Sequence, residues 1–409
     1  MRLSDLCDFV AVQVDPSRRA DGIYIGLEHV ASGRFVGIGE GKAFDVHSAK
    51  YAFQPGDVLY GKLRPYLDKA IVVNDYGICT TELLVLRPKY GVDPRFVVSI
   101  VHAPSFLAHA VAGTTGVQHP RTSWNHIANF ELPRFGSDEQ NKIASLLWGV
   151  HEAITANEAV IETGLHLKHA AMRVLFTRGL RGEPQKETEI GPVPESWNAR
   201  TILELCDILS GGTPRKSIAE YWRGDIPWVS GKDLKTPALD DTIDHITNEG
   251  VEAGSRIAPD GAVLILVRGM GLAKDLPVAV INRPMAFNQD VKALVLRGDF
   301  DGRFLRSAIY VNKERLLSQI VPSAHGTMTL NLNDIETFKV ACPNDSTEAE
   351  EIVAILDAID RKIDLHRRKR AVLGELFKAL LHKLMTGEIR VADLDLSALE
   401  PKKATEVAA

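Results

Sequence analysis

Cysteine is scarce in this 409-residue chain and widely scattered. Cys7, Cys79, Cys206 and Cys342 form no Cys-x-x-Cys pair, which argues against a disulfide framework and a cysteine-based zinc site and fits a reducing cytosol. No apolar run approaches the ~18–20 residues of a membrane-crossing helix, and Met1-Arg2-Leu3-Ser4-Asp5 does not open as a secretory leader. Neither charge sign dominates: 48 Lys and Arg stand against 53 Asp and Glu, for a net charge of -5. That excludes a histone-like cloak of positive charge but leaves room for a local basic groove. With 45% hydrophobic and 25% charged residues the composition is globular, and the expectation is a soluble, cytoplasmic protein without membrane contact.

The motifs of common cofactor chemistry are also missing. Gly37-Ile38-Gly39-Glu40-Gly41-Lys42 resembles a phosphate loop, but Val36 stands five before Gly41 and Ala43 follows Lys42 where Ser or Thr is needed. Gly211-Gly212-Thr213-Pro214 and Arg268-Gly269-Met270-Gly271 are too short for a dinucleotide fingerprint. No Gly-x-Ser-x-Gly or His-Glu-x-x-His occurs, and the pair His166 and His169 lacks further ligands nearby. The expectation is a chain with no catalytic residues and no metal or cofactor of its own. An enzyme stays open as an alternative, because catalytic carboxylates leave little trace in a sequence.

The chain repeats itself. Asn125-His126-Ile127-Ala128-Asn129-Phe130 returns 208 positions on as Asn333-Asp334-Ile335-Glu336-Thr337-Phe338. Ile143, Leu147, Val150 and Ile154 then match Ile352, Leu356, Ile359 and Ile363, 209 positions on. Looser echoes precede them: Ser4-Asp5-Leu6-Cys7-Asp8 with Leu203-Glu204-Leu205-Cys206-Asp207, and Tyr24-Ile25-Gly26 with Trp228-Val229-Ser230. A period of this length denotes a duplicated domain pair, not a solenoid. Each half opens with short β-type runs, such as Leu83-Leu84-Val85-Leu86 and Val263-Leu264-Ile265-Leu266-Val267, with helical stretches from Phe96 to Val111 and from Gly302 to Ile320.

Each half then closes with a proline-free helical stretch, from Ser137 to about Arg178 and from Ser346 to about Met385. Apolar residues recur there in steps of three and four, at Leu147, Val150, Ile154, Ile161 and Leu165 in the first and at Leu356, Ile359, Ile363, Leu373 and Phe377 in the second. Ser137-Asp138-Glu139-Gln140 and Ser346-Thr347-Glu348 supply N-cap and first-turn acids. A helix of some 40 residues is about 60 Å long and must bury its stripe against a partner, most economically its own repeat copy. Leu147, Val150, Ile154, Ile161, Leu356, Ile359, Ile363 and Leu373 are therefore the predicted seam of an intramolecular antiparallel coiled coil. The equivalent polar residues Asn157 and His366 either sit off that seam or set its register.

The fold class is thus α+β, with two globular domains (1–134 and 183–342), two long helices (135–182 and 343–390), an internal pseudo-twofold repeat and a frayed tail (391–409). The stretch 182–189 is a polar connector.

Both globular portions mix basic, small polar and aromatic residues in loop-like stretches, the mix DNA recognition needs. Lys, Arg and backbone N–H groups hold phosphates, while Arg, Gln, Asn and Thr read base edges. In the first half the candidates are Lys62, Arg64, Tyr66, Thr114, Thr115, Gln118, His119 and Arg121. In the second they are Gly211, Gly212, Thr213, Arg215, Lys216, Ser230, Lys232, Lys235, Arg268, Lys274, His325 and Thr327. Singly, each stretch is more often an ordinary solvated loop; recurrence at related places in both copies is what points to a binding face. A self-contained DNA-modifying enzyme and a coiled-coil scaffold without sequence preference are the alternatives. The cluster His366-Arg367-Arg368-Lys369-Arg370 is either a solvated helix face or a contact for phosphates or an acidic partner.

Three long motifs carry a family resemblance. Gly191-Pro192-Val193-Pro194-Glu195-Ser196-Trp197, Ser210-Gly211-Gly212-Thr213-Pro214, and Glu220-Tyr221-Trp222 through Gly224-Asp225-Ile226-Pro227-Trp228-Val229-Ser230 to Lys232-Asp233-Leu234 resemble the start of a target-recognition domain of Type I restriction-modification specificity subunits. The helix ending Leu381-His382-Lys383-Leu384-Met385-Thr386-Gly387-Glu388-Ile389-Arg390 is similar to that family's closing helix. The first half departs, with Tyr24-Ile25-Gly26-Leu27-Glu28 in place of the Trp-containing form. The resemblance implies two target-recognition domains on double-stranded DNA, joined by antiparallel helices. It also implies assembly with two methyltransferase (modification) subunits, and with restriction/translocase subunits in the full complex. S-adenosylmethionine, ATP and Mg would then reside on those partners.

Overall fold

The computed structural model describes residues 1–19, 22–322 and 327–395. Contacts divide the chain into two units: Met1–Ile161 with the segment from Leu365 onward, and Glu162–Asp364. Both long helices, Ser137–Arg178 and Ser346–Thr386, are continuous and contribute to both units. The sequence scheme of head, helix, head, helix is therefore regrouped: each unit holds one β-rich head and a section of each helix.

The heads share one topology. In unit 1 an antiparallel sheet runs in the order Cys7–Phe9, Leu83–Pro88, Val58–Gly61, Ala70–Val72. Unit 2 repeats that order with Cys206–Ser210, Val291–Leu296, Val263–Leu266 and Val278–Ile281, and adds Ala238–Leu239 as a parallel edge. The central strands Val58–Gly61 and Val263–Leu266 are buried on both faces, which is why they read as unbroken apolar runs and not as alternation. Each second sheet is built around one parallel pair, Ile23–Ile25 with Gly77–Cys79 in unit 1 and Ile226–Val229 with Met285–Phe287 in unit 2. Tyr24 and Trp228 thus occupy the equivalent places their alignment suggested.

Some local expectations change. The helix expected from Phe96 to Val111 is two, Pro94–His102 and Pro104–Ala112, bent by 65°. Pro104 has no N–H to continue the first helix and is preorganised to start the second. The pair is apolar, but Phe96, Val97, Ile100 and Phe106 are spent in the core of unit 1; no single described helix is long and apolar enough to cross a membrane. The stretch expected from Gly302 to Ile320 likewise divides, into Gly302–Val311 and Lys313–Leu317. The connector at 182–189 is ordered: Gln185–Thr188 pairs with Gly191–Pro194 as a hairpin. The tail expected to fray from Val391 begins with a turn at Val391–Asp393 in which Val391 is buried; residues 396–409 lie outside the described residues.

Within each unit the two helices run antiparallel. In unit 1 Ile143, Leu147 and Val150 share a core with Leu381, Leu384 and Met385, and farther along Arg370 Nε donates to Glu158 Oε1 at 2.8 Å. In unit 2 Met172, Leu175 and Phe176 share a core with Ile352, Val353 and Leu356, and Lys168 bonds Asp360 at 2.5 Å. Of the predicted seam, Leu147, Val150, Leu356 and Ile363 are buried, and Ile154, Ile161, Ile359 and Leu373 are half-buried. Leu165 is exposed and off the seam. Asn157 and His366 do face each other: Asn157 is 6% exposed, and its Oδ1 lies 2.8 Å from His366 Nδ1. A single buried polar contact penalises any shift that would leave these groups unpaired.

An aromatic stack ties the unit 1 head to its helices. Phe35 stacks on His151 of the first long helix at 4.7 Å and on His102 at 5.3 Å, with Phe377 of the second long helix edge-on at 5.5 Å. The Phe35 N–H donates to His151 Nε2 at 3.2 Å. Burial, and then the nearby Arg34 charge, push the His151 pKa down from 6.5 to about 4. The folded ring therefore stays neutral where the unfolded chain takes up a proton. Stability is full above pH 6.5 and falls as the pH drops toward 4, by about 3 kcal/mol for a shift of this size. Thermal unfolding followed from pH 7 to pH 4 is expected to show this loss, and His151→Phe to remove that portion of it. An unchanged pH profile in the variant would contradict the assignment.

Candidate nucleic-acid interface

Residues far apart in sequence meet where each central strand ends. In unit 1 the Lys62 N–H donates to Glu82 O at 3.0 Å, and Thr122 N donates to Lys62 O at 3.0 Å. Leu63 bridges Arg121, and Arg64 N donates to Pro120 O at 2.7 Å. Thr115 and Arg121 exchange both backbone hydrogen bonds at 3.0 Å, closing the loop that presents Gln118 and His119 to solvent. The stretches 62–66 and 113–121 are thereby joined in one surface. Arg121 is committed within it: its guanidinium donates to both Glu82 oxygens, which raises its pKa. Thr114 turns its hydroxyl back to Val111 O at 2.8 Å, whereas Tyr66 is 57% exposed.

Unit 2 repeats this construction with other side chains. Val267 N donates to Asp290 O at 2.8 Å, Arg268 bridges Thr329, and Gly269 N donates to Met328 O at 3.0 Å. Val321–Pro322 pairs with Met328–Thr329 as the counterpart of the 115–121 loop. His325 lies outside the described residues, and Thr327 is partnered. Arg268 and Lys274 are exposed on either side of the turn Met270–Ala273.

A three-residue turn organises each surface, and sequence reasoning missed both. In unit 1 it is Thr80-Thr81-Glu82: Thr80 N donates to Ile25 O, and Glu82 receives Lys62 and Arg121. In unit 2 it is Asn288-Gln289-Asp290: Asn288 N donates to Val229 O, Asp290 O receives Val267, and Thr213 Oγ1 bonds Gln289 Oε1 at 2.6 Å. The available signal was a polar triplet ahead of an apolar strand at matching places in both halves.

The glycines of Gly211-Gly212-Thr213-Pro214 have a packing reason. A Cβ on Gly211 would lie 2.2 Å from Phe287 O, and one on Gly212 1.9 Å from Gly254 O. Both let backbone pass backbone, and Trp228 Nε1 fastens the loop by donating to Gly212 O at 3.1 Å. These two residues, expected as DNA contacts, also shape the loop. Arg215 and Lys216 are exposed beyond it, as is Lys235. Lys232 pairs with Asp244 at 2.6 Å, and Ser230 Oγ donates to Asp233 Oδ2 at 2.9 Å.

Residues 194–375 match the model of the Type I restriction modification DNA specificity domain. The second head and much of the second long helix therefore resemble that domain. It is 31% identical over 163 residues, 39% of its length, to the Type I restriction enzyme EcoR124I/EcoR124II specificity subunit of Escherichia coli. It is 30% identical over 217 residues, 50% of its length, to the Type I restriction enzyme MjaIX specificity subunit of Methanocaldococcus jannaschii. The chain spans 40% and 48% of the length of these two relatives. Its fold is similar to that of the Type I restriction-modification system S subunit from M. genitalium, with a TM-score of 0.61 at 16% identity over 94% of this chain and 95% of that one. The match to the specificity domain takes in every described unit 2 residue of the interface.

Proposed function

We propose that this chain is the sequence-reading subunit of a Type I restriction-modification complex and is itself non-catalytic. The head in 1–134 reads one half of a bipartite, asymmetric DNA site and the head in 183–342 reads the other. The long helices, as an intramolecular coiled coil within a pseudo-twofold repeat, set the spacing of the half-sites and dock two methyltransferase subunits. Restriction/translocase subunits join in the full complex, and S-adenosylmethionine, ATP and Mg belong to the partners.

One observation carries this reading. Both heads build the same composite surface from a strand end, a turn and a hairpin, and furnish it with unlike side chains: Lys62, Arg64 and Gln118 in one, Arg268, Lys274 and Gln289 in the other. A shared scaffold with different donors and acceptors suits two different short sequences.

The test uses the chain co-assembled with its modification subunits and a duplex whose site has been located by mapping methylated adenines in the host genome. Arg268→Ala and Lys62→Ala are each expected to weaken binding ~10- to 100-fold, the ~1–3 kcal/mol of a good contact to DNA. If both variants bind as wild type, the interface lies elsewhere. Turnover of S-adenosylmethionine by the isolated chain would favour a self-contained enzyme. Equal affinity for a scrambled duplex, falling steeply with salt, would favour a scaffold.

A further inference from the structure

Among the described residues only Arg64 (φ 50) and Asp68 (φ 51) are non-glycine residues in the left-handed region, and they bracket the turn Pro65–Leu67. Such a conformation is strained for an L residue, so the surroundings must impose it. They do: Arg64 N donates to Pro120 O at 2.7 Å, Gly33 N donates to Asp68 O at 2.8 Å, and the Asp68 carboxylate meets His102 Nδ1 at 2.6 Å. His102 is itself fixed, donating from Nε2 to Ala70 O at 3.0 Å. The result is a stiff projection in which Pro65 is buried and Tyr66 points out.

Unit 2 holds a projection at the equivalent place. Gly269, at φ 144 and anchored to Met328 O, precedes the turn Met270–Ala273. Leu272 is buried there and Met270 is 62% exposed. Each unit therefore sinks one apolar residue of the turn and turns another outward, amid Lys62 and Arg64 or Arg268 and Lys274. Phosphate and base-edge contacts need polar groups. A large apolar side chain left in water at the centre of such a surface is suited to something else, the faces of the bases.

We propose that Tyr66 and Met270 are wedges, each entering the base stack at one step of its half-site and opening that step. The inference rests on the DNA-reading function proposed above. An apolar wedge unstacks and kinks the duplex, and the cost is recovered through contacts that the bend allows. Each half-site should then hold an easily opened step, such as a pyrimidine–purine step, where the wedge enters.

The experiment places 2-aminopurine, whose fluorescence rises on unstacking, at successive positions through both half-sites of the mapped duplex, under saturating co-assembled complex. A several-fold rise is expected at one step in each half-site, besides any at the methylated adenines. Tyr66→Ala should abolish the rise in one half-site alone and Met270→Ala in the other alone. Tyr66→Phe and Met270→Leu, which keep the apolar bulk, should restore it. Signals that persist in both alanine variants overturn the proposal, as does site-specific binding by wild type with no rise outside the methylated adenines; the latter leaves the DNA-reading function standing. A complex that does not prefer the mapped duplex to a scrambled one overturns both.

Discussion

Leu356→Asp is expected to destabilise the protein by ~4 kcal/mol or more and to lower its unfolding temperature by ~10 °C or more. Leu356 is 4% exposed and packs with Ile352 and Val353 of its own helix in the core that holds Met172 and Leu175 of the first. Truncating a buried leucine costs ~2–5 kcal/mol through lost burial and the cavity left behind. A carboxylate adds the penalty of desolvating a charge. The matched control is Leu165→Asp on the first helix: that side chain is exposed, and the change should stay within about 0.5 kcal/mol. Thermal unfolding by circular dichroism compares the two. Equal unfolding temperatures would mean that the contact between helices in unit 2 contributes nothing.

Glu348→Ala should cost nearly as much, ~3–5 kcal/mol, although it removes a first-turn acid of a kind that usually serves as an exposed cap. Glu348 is only 3% exposed. Its Oε1 accepts from Leu180 N at 2.6 Å and its Oε2 from Trp197 Nε1 at 3.0 Å. The alanine variant leaves the buried Trp197 donor and the half-buried Leu180 N–H without a partner, at ~1–3 kcal/mol for a buried donor and less for the other, and opens a cavity beside Trp197. Glu348→Gln keeps one acceptor oxygen but turns an amide NH2 toward the other donor, so it should fall between wild type and alanine. Denaturant unfolding monitored by tryptophan fluorescence reads both effects. Wild-type stability in the alanine variant would show that Trp197 and Leu180 find other acceptors. Gly179 makes the arrangement feasible: at φ 62 it ends the first long helix, and a Cβ there would lie 2.8 Å from Glu348 Oε1.

Much of the architecture was legible because it rests on periodicity. Steps of three and four mark a helical stripe wherever they occur, so both long helices and the buried positions Leu147, Val150, Leu356 and Ile363 could be read from the chain. Positions at the stripe's margin could not: Leu165 keeps the spacing yet faces solvent, because pattern gives an angle around the helix and not the width of the partner. The break at Pro104 was written in the sequence and overlooked in favour of the apolar run around it.

The interface was legible in composition and opaque in arrangement. Basic and polar loops stand out along the chain, but the backbone bonds that join Leu63 to Arg121, or Arg268 to Thr329, connect residues dozens of positions apart and leave no local signature. Arg121 looks the same in sequence whether it reaches DNA or is held by Glu82. Gly211 and Gly212 look like a flexible ligand loop, when the nearness of Phe287 O and Gly254 O is what demands glycine.

Sequence by itself determined that the chain has two related halves, each a β-rich head followed by a long amphipathic helix, because repeats and periods are properties of residue order. Tertiary structure decided which polar groups meet: Asn157 with His366, Trp197 with Glu348, Asp68 with His102. Those pairings depend on distances of about 3 Å between side chains of different elements. Folding settles them by burying the groups together, where an unmatched donor or acceptor would cost ~1–3 kcal/mol.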